Sequence, residues 1–294
     1  MFYRRKIILA LLQLFEGELE KIRLQKLLFM FCKKQEAAVY DFVPYLYGCY
    51  SYSANADMTA MVKHGLLTET ETKFSIAQKA DYLKMVKEAD YKLLFDIKRQ
   101  YGTMNAEALM KHTYINFPYW ATKSVKAKTL LSTIELEKVK MSIPETDKVI
   151  LFTIGYEGIS LEEYLNRLLK NGIKVLVDVR NNPLSMKYGF SKSQLVRYCS
   201  NLGITYMHFP EVGIQSEQRQ ELSTQADYDR LFATYKTNNL VKTISTQQEI
   251  LQLLQQHKRI ALTCFEANIC QCHRTHLAAA IKALPGFEYE VEHI

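Results

Sequence analysis

Apolar residues recur along the first half of the chain near helical spacing. Residues 3 to 15 and Leu19 to Lys34 form two such runs, with Ile22, Leu24, Leu27, Leu28 and Phe31 marking a core stripe in the second. A tyrosine-rich loop follows, Asp41-Phe42-Val43-Pro44-Tyr45-Leu46-Tyr47-Gly48-Cys49-Tyr50-Ser51-Tyr52-Ser53. A helix is then expected from about Ala54 to His64, with Gly65 closing it. Leu66 to Ile76 can supply two short strands around a charged tip at Glu69 to Lys73, the arrangement of a wing, and the helices before it together with this wing suggest a winged helix. Further helices are expected over 78 to 100 and 103 to 115, with a break at Pro118. Ser132 to Pro144 reads as a connector, because it is charged and has no strong apolar face.

The period changes at Val149. Val149 to Tyr156 is a continuous apolar run suited to a buried strand, and similar strands are expected over 174 to 180, 204 to 210, 260 to 265 and 289 to 294. Helices at 161 to 170, 191 to 201, 225 to 238, 245 to 257 and 273 to 283 alternate with them. That alternation predicts an α/β fold with a mainly parallel, doubly wound sheet. The expected organisation is a mainly helical, winged-helix-like domain over 1–145 and an α/β domain over 146–294.

Composition sharpens this division. Lys and Arg number 38 against 31 Asp and Glu, a formal charge of +7. Cut after Lys148, the chain has 23 basic against 17 acidic residues before the cut and 15 against 14 after it. An anionic partner for the first domain follows, nucleic acid being the commonest, with solvated surface lysine as the plain alternative. No segment approaches the roughly 18 apolar residues of a membrane span, and Met1-Phe2-Tyr3-Arg4-Arg5-Lys6 lacks a signal-peptide pattern, so a cytoplasmic protein without a membrane partner is expected. Six cysteines in a chain of this length do not make a secreted disulfide framework.

Ligands of open parallel sheets bind beyond the carboxyl ends of the strands. That rule collects Gly155, Tyr156 and Glu157, then Asp178 and Arg180, then His208, then Cys264 and Glu266. Ending a buried strand with Asp178 and Arg180 is costly unless they pair with each other or hold something. Cys272, His273 and Arg274 fall at an expected helix N-terminus, which favours an anion and would lower a thiol pKa. Arg180 and Arg274 could then clamp a phosphate or carboxylate.

Three readings of the cysteines stay open. Cys264, Cys270, Cys272, His273 and His276 could bind zinc, although paired C-x-x-C knuckles are missing. A nucleophilic or redox cysteine is the second, and small buried residues are the third, also for Cys32, Cys49 and Cys199. A cysteine-phosphatase loop is disfavoured, because Cys270 stands where its arginine is required. Alternatively Asp178 or Glu266 works as a general acid or base, with Tyr156, His208 or His273 as proton partner.

Thr153-Ile154-Gly155-Tyr156-Glu157-Gly158, Asp178-Val179-Arg180-Asn181-Asn182-Pro183-Leu184-Ser185, Gly189-Phe190-Ser191, Leu202 to His208, and Cys264-Phe265-Glu266 with Cys272-His273-Arg274 resemble the domain-of-unknown-function family 488 over about 150 to 285. The resemblance implies an α/β domain that gathers its Gly-Tyr, Asp-Val-Arg, Cys-x-Glu and Cys-His-Arg elements at one site; with the strand-end reading above, Asp178, Glu266, Tyr156 and His273 are the catalytic candidates and Gly155, Arg180, Ser185, His208, Cys264, Cys272 and Arg274 the ligand-binding ones. It names no reaction and no cofactor. Glu211-Val212-Gly213 stands where a Leu-Gly-Gly turn is usual, and losing a glycine would reshape that loop. Leu24-Gln25-Lys26-Leu27-Leu28-Phe29, Asp41 to Gly48 and Gly65-Leu66-Leu67 resemble the Panacea antitoxin group and its winged-helix relatives over about 5 to 125, which implies a module binding nucleic acid or protein.

The leading expectation is a nucleic-acid-associated protein of the bacterial defence or genome-maintenance kind. Its first domain would bind nucleic acid, and its second would act on a nucleotide or nucleic-acid substrate by hydrolysis. The rivals are a non-catalytic, antitoxin-like adaptor that senses a small anion and binds a protein partner or DNA, and a thiol- or zinc-dependent enzyme.

Overall fold

The computed structural model describes residues 1–215, 218 and 222–294, and the chain divides into two compact units, Met1–Ile143 and Pro144–Ile294. Part of the loop expected before residue 225 therefore lies outside the described residues. By these bounds the first unit carries 22 basic against 15 acidic residues and the second 16 against 16.

The first unit runs α1 (Tyr3–Leu14), β1 (Glu18–Glu20), α2 (Lys21–Lys34), β2 (Val43–Tyr45), β3 (Gly48–Tyr50), α3 (Tyr52–Lys63), β4 (Leu67–Glu69), β5 (Lys73–Ile76), α4 (Glu88–Tyr101), α5 (Ala106–Asn116), α6 (Ala127–Leu130) and α7 (Thr133–Met141). The expected hairpin of β4 and β5 forms, and β1 adds to it antiparallel in the order β1-β5-β4. Leu19 therefore belongs to a strand and not to the second helix. It pairs with Phe74 and points inward while Glu18 and Glu20 face out, the alternation of a half-buried strand. The tyrosine-rich loop contains a second hairpin, β2 with β3, turning at Gly48 with φ +88°. The expected connector holds α7, started by a Ser132–Glu135 capping box and burying only Val139.

Asp57 on α3 is buried and ties the start of the unit together. It accepts from Arg5 Nε at 2.7 Å, from the Tyr40 hydroxyl at 2.9 Å and from Arg4 Nε. Two of the basic residues at the chain start thus share one internal counter-charge. Lys63 is the one lysine or arginine of α3, and Lys21 and Lys73 beside the wing pair with Glu69 and Glu18. The positive excess is therefore not concentrated on the helix and hairpin that a winged helix lays on duplex DNA.

The second unit runs β6 (Ile150–Gly155), α8 (Leu161–Lys170), β7 (Val175–Asp178), α9 (Lys192–Asn201), β8 (Thr205–His208), α10 (Gln225–Thr234), a π-helical stretch Tyr235–Leu240, α11 (Ile244–His257), β9 (Arg259–Cys264), α12 (His273–Lys282) and β10 (Glu290–His293). The helix expected over 225 to 238 thus changes its winding at Tyr235. Five parallel strands form one sheet in the order β10-β6-β9-β7-β8. Ile260, Leu262 and Cys264 of β9 join the core that α11 and α12 cover. Thr263 faces the other way and accepts from the Tyr164 hydroxyl of α8 at 2.8 Å. Both faces are covered, as a doubly wound sheet requires. Val212 is buried where a turn glycine was expected, while at Gly213 a Cβ would lie 2.3 Å from the Asn181 backbone nitrogen, so that glycine is obligatory. Among the described residues no helix is long and apolar enough to cross a membrane.

Asp57→Ala removes one acceptor from three donors in the first unit. It should lower stability by about 1–3 kcal/mol, read as a lower urea midpoint at unchanged slope.

Candidate functional site

Strand register brings the polar ends of the sheet side by side. Gly155 stands opposite Cys264, and Asp178 stands between Thr263 and His208. Beyond these ends lies a cleft of about 290 Å³ whose lining includes Tyr156, Arg180, Asn181, Asn182, Ser185, Cys264 and Phe265. Leu184, Met186 and Phe265 are exposed at its mouth.

Asp178 is wholly buried, and its partner is Arg180. The guanidinium donates from Nε at 2.9 Å and again from Nη2, and the Tyr206 hydroxyl donates to the same carboxylate at 2.6 Å. Arg180 Nη1 donates to the Tyr156 hydroxyl at 2.8 Å and to the Phe190 carbonyl at 2.9 Å. Burial opposes the guanidinium charge, but its hydrogen bonds to the Asp178 carboxylate outweigh this and hold Arg180 protonated well above the ordinary arginine range. The two residues thus take the mutual salt bridge, and most of the guanidinium is spent on it. Tyr156 stacks on Phe190 at 4.3 Å between ring centroids, and burial raises its phenol pKa against the pull of Arg180.

Arg274 is also turned inward, donating to the backbone carbonyls of Glu266 and Ala267. The expected two-arginine clamp is therefore not what these side chains form: each holds structure beside the cleft. His208 is committed as well, its Nε2 on the Arg180 carbonyl at 2.8 Å and its Nδ1 beside Lys192 Nζ at 3.1 Å. Ser185 lies in the cleft wall, in a turn where its backbone nitrogen donates to the Ser191 hydroxyl at 3.1 Å. At Gly155 a Cβ would lie 1.9 Å from the Glu266 carbonyl oxygen, so the backbone approach there excludes any side chain.

The remaining candidates converge on Cys264. Its thiol donates to Glu266 Oε2 at 3.1 Å and lies 3.6 Å from His273 Nδ1. Ligand atoms of Cys264, Cys272 and His273 all fall within 4.8 Å of one another, and all three residues are buried. His273 Nε2 sits 3.0 Å from the Val179 carbonyl. A carbonyl only accepts, so Nε2 carries a proton and Nδ1 is the ring nitrogen that faces the Cys264 sulfur. Cys272 caps α12 as the helix signals predicted, yet its thiol pKa is raised well above the ordinary value and not lowered. Burial outweighs the helix end, and the neighbouring Cys264 adds to it. Cys270 is exposed. His276 stands in ring contact with Phe232, 4.5 Å between centroids.

Tyr206 and Phe190 were missed as site residues. Tyr206 was findable, since it lies two positions before His208 on one face of β8, the strand beside Asp178. Phe190 stands in the Gly189-Phe190-Ser191 motif of the resemblance, but it lies just before α9 and not at a strand end, so strand-end topology does not reach it. A second cavity of about 390 Å³ shares Asn181 with the cleft and is walled by the π-helical stretch, including Tyr235, Asn238 and Asn239.

Residues 160–281 match the family model of a domain of unknown function, DUF488. The match spans Asp178 through Arg274 and starts just after Gly155 and Tyr156. The resemblance drawn for the N-terminal segment is not shown, and no curated protein matches the chain.

Asp178→Asn leaves the Arg180 cation buried with its counter-charge removed. It should cost about 3–5 kcal/mol in urea unfolding, and the apolar double replacement Asp178→Leu with Arg180→Met much less. Equal losses would show that the pair is not the constraint described.

Proposed function

We propose that the second unit is a metal-assisted hydrolase. Cys264, Cys272 and His273 would hold a soft divalent ion of the zinc class, and the cleft above Cys264 would take a nucleotide or another substrate bearing a nucleobase. The observation that carries this reading is the buried convergence of two thiols and an imidazole in the tautomer a metal ligand needs. The Val179 carbonyl plays the part of the outer-sphere acceptor that fixes such a ring. Three protein ligands are the number that catalytic zinc sites use, and an ion held by them would supply an activated water.

Glu266 supplies the acid–base group. Cys264 and Cys272 would hold the ion as thiolates, their protons released to solvent; Glu266, no longer accepting from the Cys264 thiol, would then be free to take a proton from the activated water. The water oxygen then bonds to the electrophilic centre of the substrate, the bond to the leaving group breaks, and the proton passes from Glu266 to that leaving group. The Arg274 guanidinium eases the formation of thiolate at Cys272. Nucleobase deaminases use the same donor types with a carboxylate nearby, an analogy of chemistry and not of fold. Exposed Phe265, Leu184 and Met186 at the mouth suit the faces of a planar ring, and Asn181 and Asn182 suit its hydrogen-bonding edge.

The charge excess of the first unit supports nucleic acid as its partner, through contacts that do not depend on sequence, given the sparse cations of α3.

Protein purified without chelator should carry about one zinc per chain by atomic emission, a ratio that Cys272→Ser and His273→Ala abolish. Glu266→Gln should keep the metal and lose about 10²- to 10⁴-fold in turnover, followed as ammonia or phosphate released from a panel of nucleosides and nucleotides. Wild-type protein that neither carries zinc nor competes for it with a chromophoric chelator would sink the reading. Binding of a mixed-sequence oligonucleotide should weaken steeply as salt rises; no binding at low salt removes nucleic acid as the partner of the first unit.

A further inference from the structure

The first unit contains a cavity of its own, about 200 Å³, between α2, the β2–β3 hairpin and α3. Its walls are mostly apolar and include Ile22, Tyr45, Tyr50, Met58 and Phe74. Lys26 is also on the lining. α2 is buried over the nine successive residues Leu24 to Cys32, and only Gln25 and Lys26 in that run are polar.

Those two polar residues differ in how well they are matched. Gln25 takes the Ser51 backbone nitrogen at 3.0 Å and donates to the Ser51 carbonyl at 3.3 Å, a closed pair. Lys26, with 2% of its surface exposed, donates to the Cys49 carbonyl at 2.9 Å. An ammonium has three donors; the carbonyl and the side chain of Cys49 meet this one, and among the described residues no carboxylate forms an ion pair with it. Burial pushes the Lys26 amine below the ordinary lysine range, as expected of a cation without a counter-ion.

A buried cation in an apolar wall is expensive unless an anion meets it. Apolar walls around one oriented polar group are also the composition of a small-molecule site, the walls giving affinity and the polar group direction. The volume is below the roughly 300–1,000 Å³ of drug-sized pockets, which limits the ligand to about one ring or a short chain. We propose that this cavity binds a small apolar carboxylate, its hydrocarbon part against Ile22, Met58 and Phe74 and its carboxylate on the Lys26 ammonium. This site is independent of the hydrolytic reading and lies wholly within the other unit.

The test titrates the full-length chain with 4-fluorophenylacetate and with its uncharged counterpart 2-(4-fluorophenyl)ethanol, following fluorine NMR line widths. The acid should bind at least about tenfold more tightly than the alcohol, the margin a charge-assisted hydrogen bond provides. Lys26→Met should erase that preference while the alcohol still binds. Met58→Trp, which fills the cavity, should abolish binding of both and serves if Lys26→Met does not fold. Equal affinities for the two probes, no binding of either to the wild-type chain at millimolar concentration, a preference that survives Lys26→Met, or acid binding that survives Met58→Trp would each overturn the proposal.

Discussion

A carboxylate with no access to water ends β7, and its charge is tolerable there because a guanidinium two residues along the same chain folds back onto it. Much of the site follows from that pair. Arg180 reaches Tyr156 and the Phe190 carbonyl with its remaining donors, so β6, β7 and the segment before α9 are held in one arrangement. Tyr206 adds β8 to the same carboxylate. The floor of the cleft is thus rigid, and the groups with chemistry to offer stand at its edge, on Cys264 and the loop that follows.

The parallel sheet was readable because buried strands need continuous apolar runs, and Ile150–Gly155 and Arg259–Cys264 largely meet that need. The three-residue strand β1 was not. Glu18–Glu20 is too short to show a period, and its pairing with Lys73–Ile76 depends on residues more than fifty positions away. α7 escaped because it buries one residue, although Ser132 and Glu135 spell its start. The π-helical stretch has no local signature, since its composition is that of the α-helix it continues.

The site divided along the same line. Strand-end topology collected residues that the sheet does place side by side, because register is what brings Gly155, Asp178, His208 and Cys264 together. Their partners were not legible. Whether Arg180 meets Asp178 or a ligand, and whether Arg274 faces the cleft or the Glu266 carbonyl, depends on side-chain directions that spacing leaves open. The helix-end argument for Cys272 failed because burial is a larger effect than the end of a helix dipole.

Cys272, His273 and Arg274 are consecutive, and each serves a different direction: the sulfur pair, the Val179 carbonyl, and the carbonyls of Glu266 and Ala267. Cys272 is the extended residue just before α12, and His273 and Arg274 open its first turn about 100° apart, so the start of this helix distributes three tasks over three directions. Such a block tolerates no change of length. An insertion or deletion between residues 272 and 274 rotates every later side chain by one step, exchanging tasks rather than weakening one of them. Point substitutions can be repaired elsewhere in the domain, whereas this triplet can only be inherited whole.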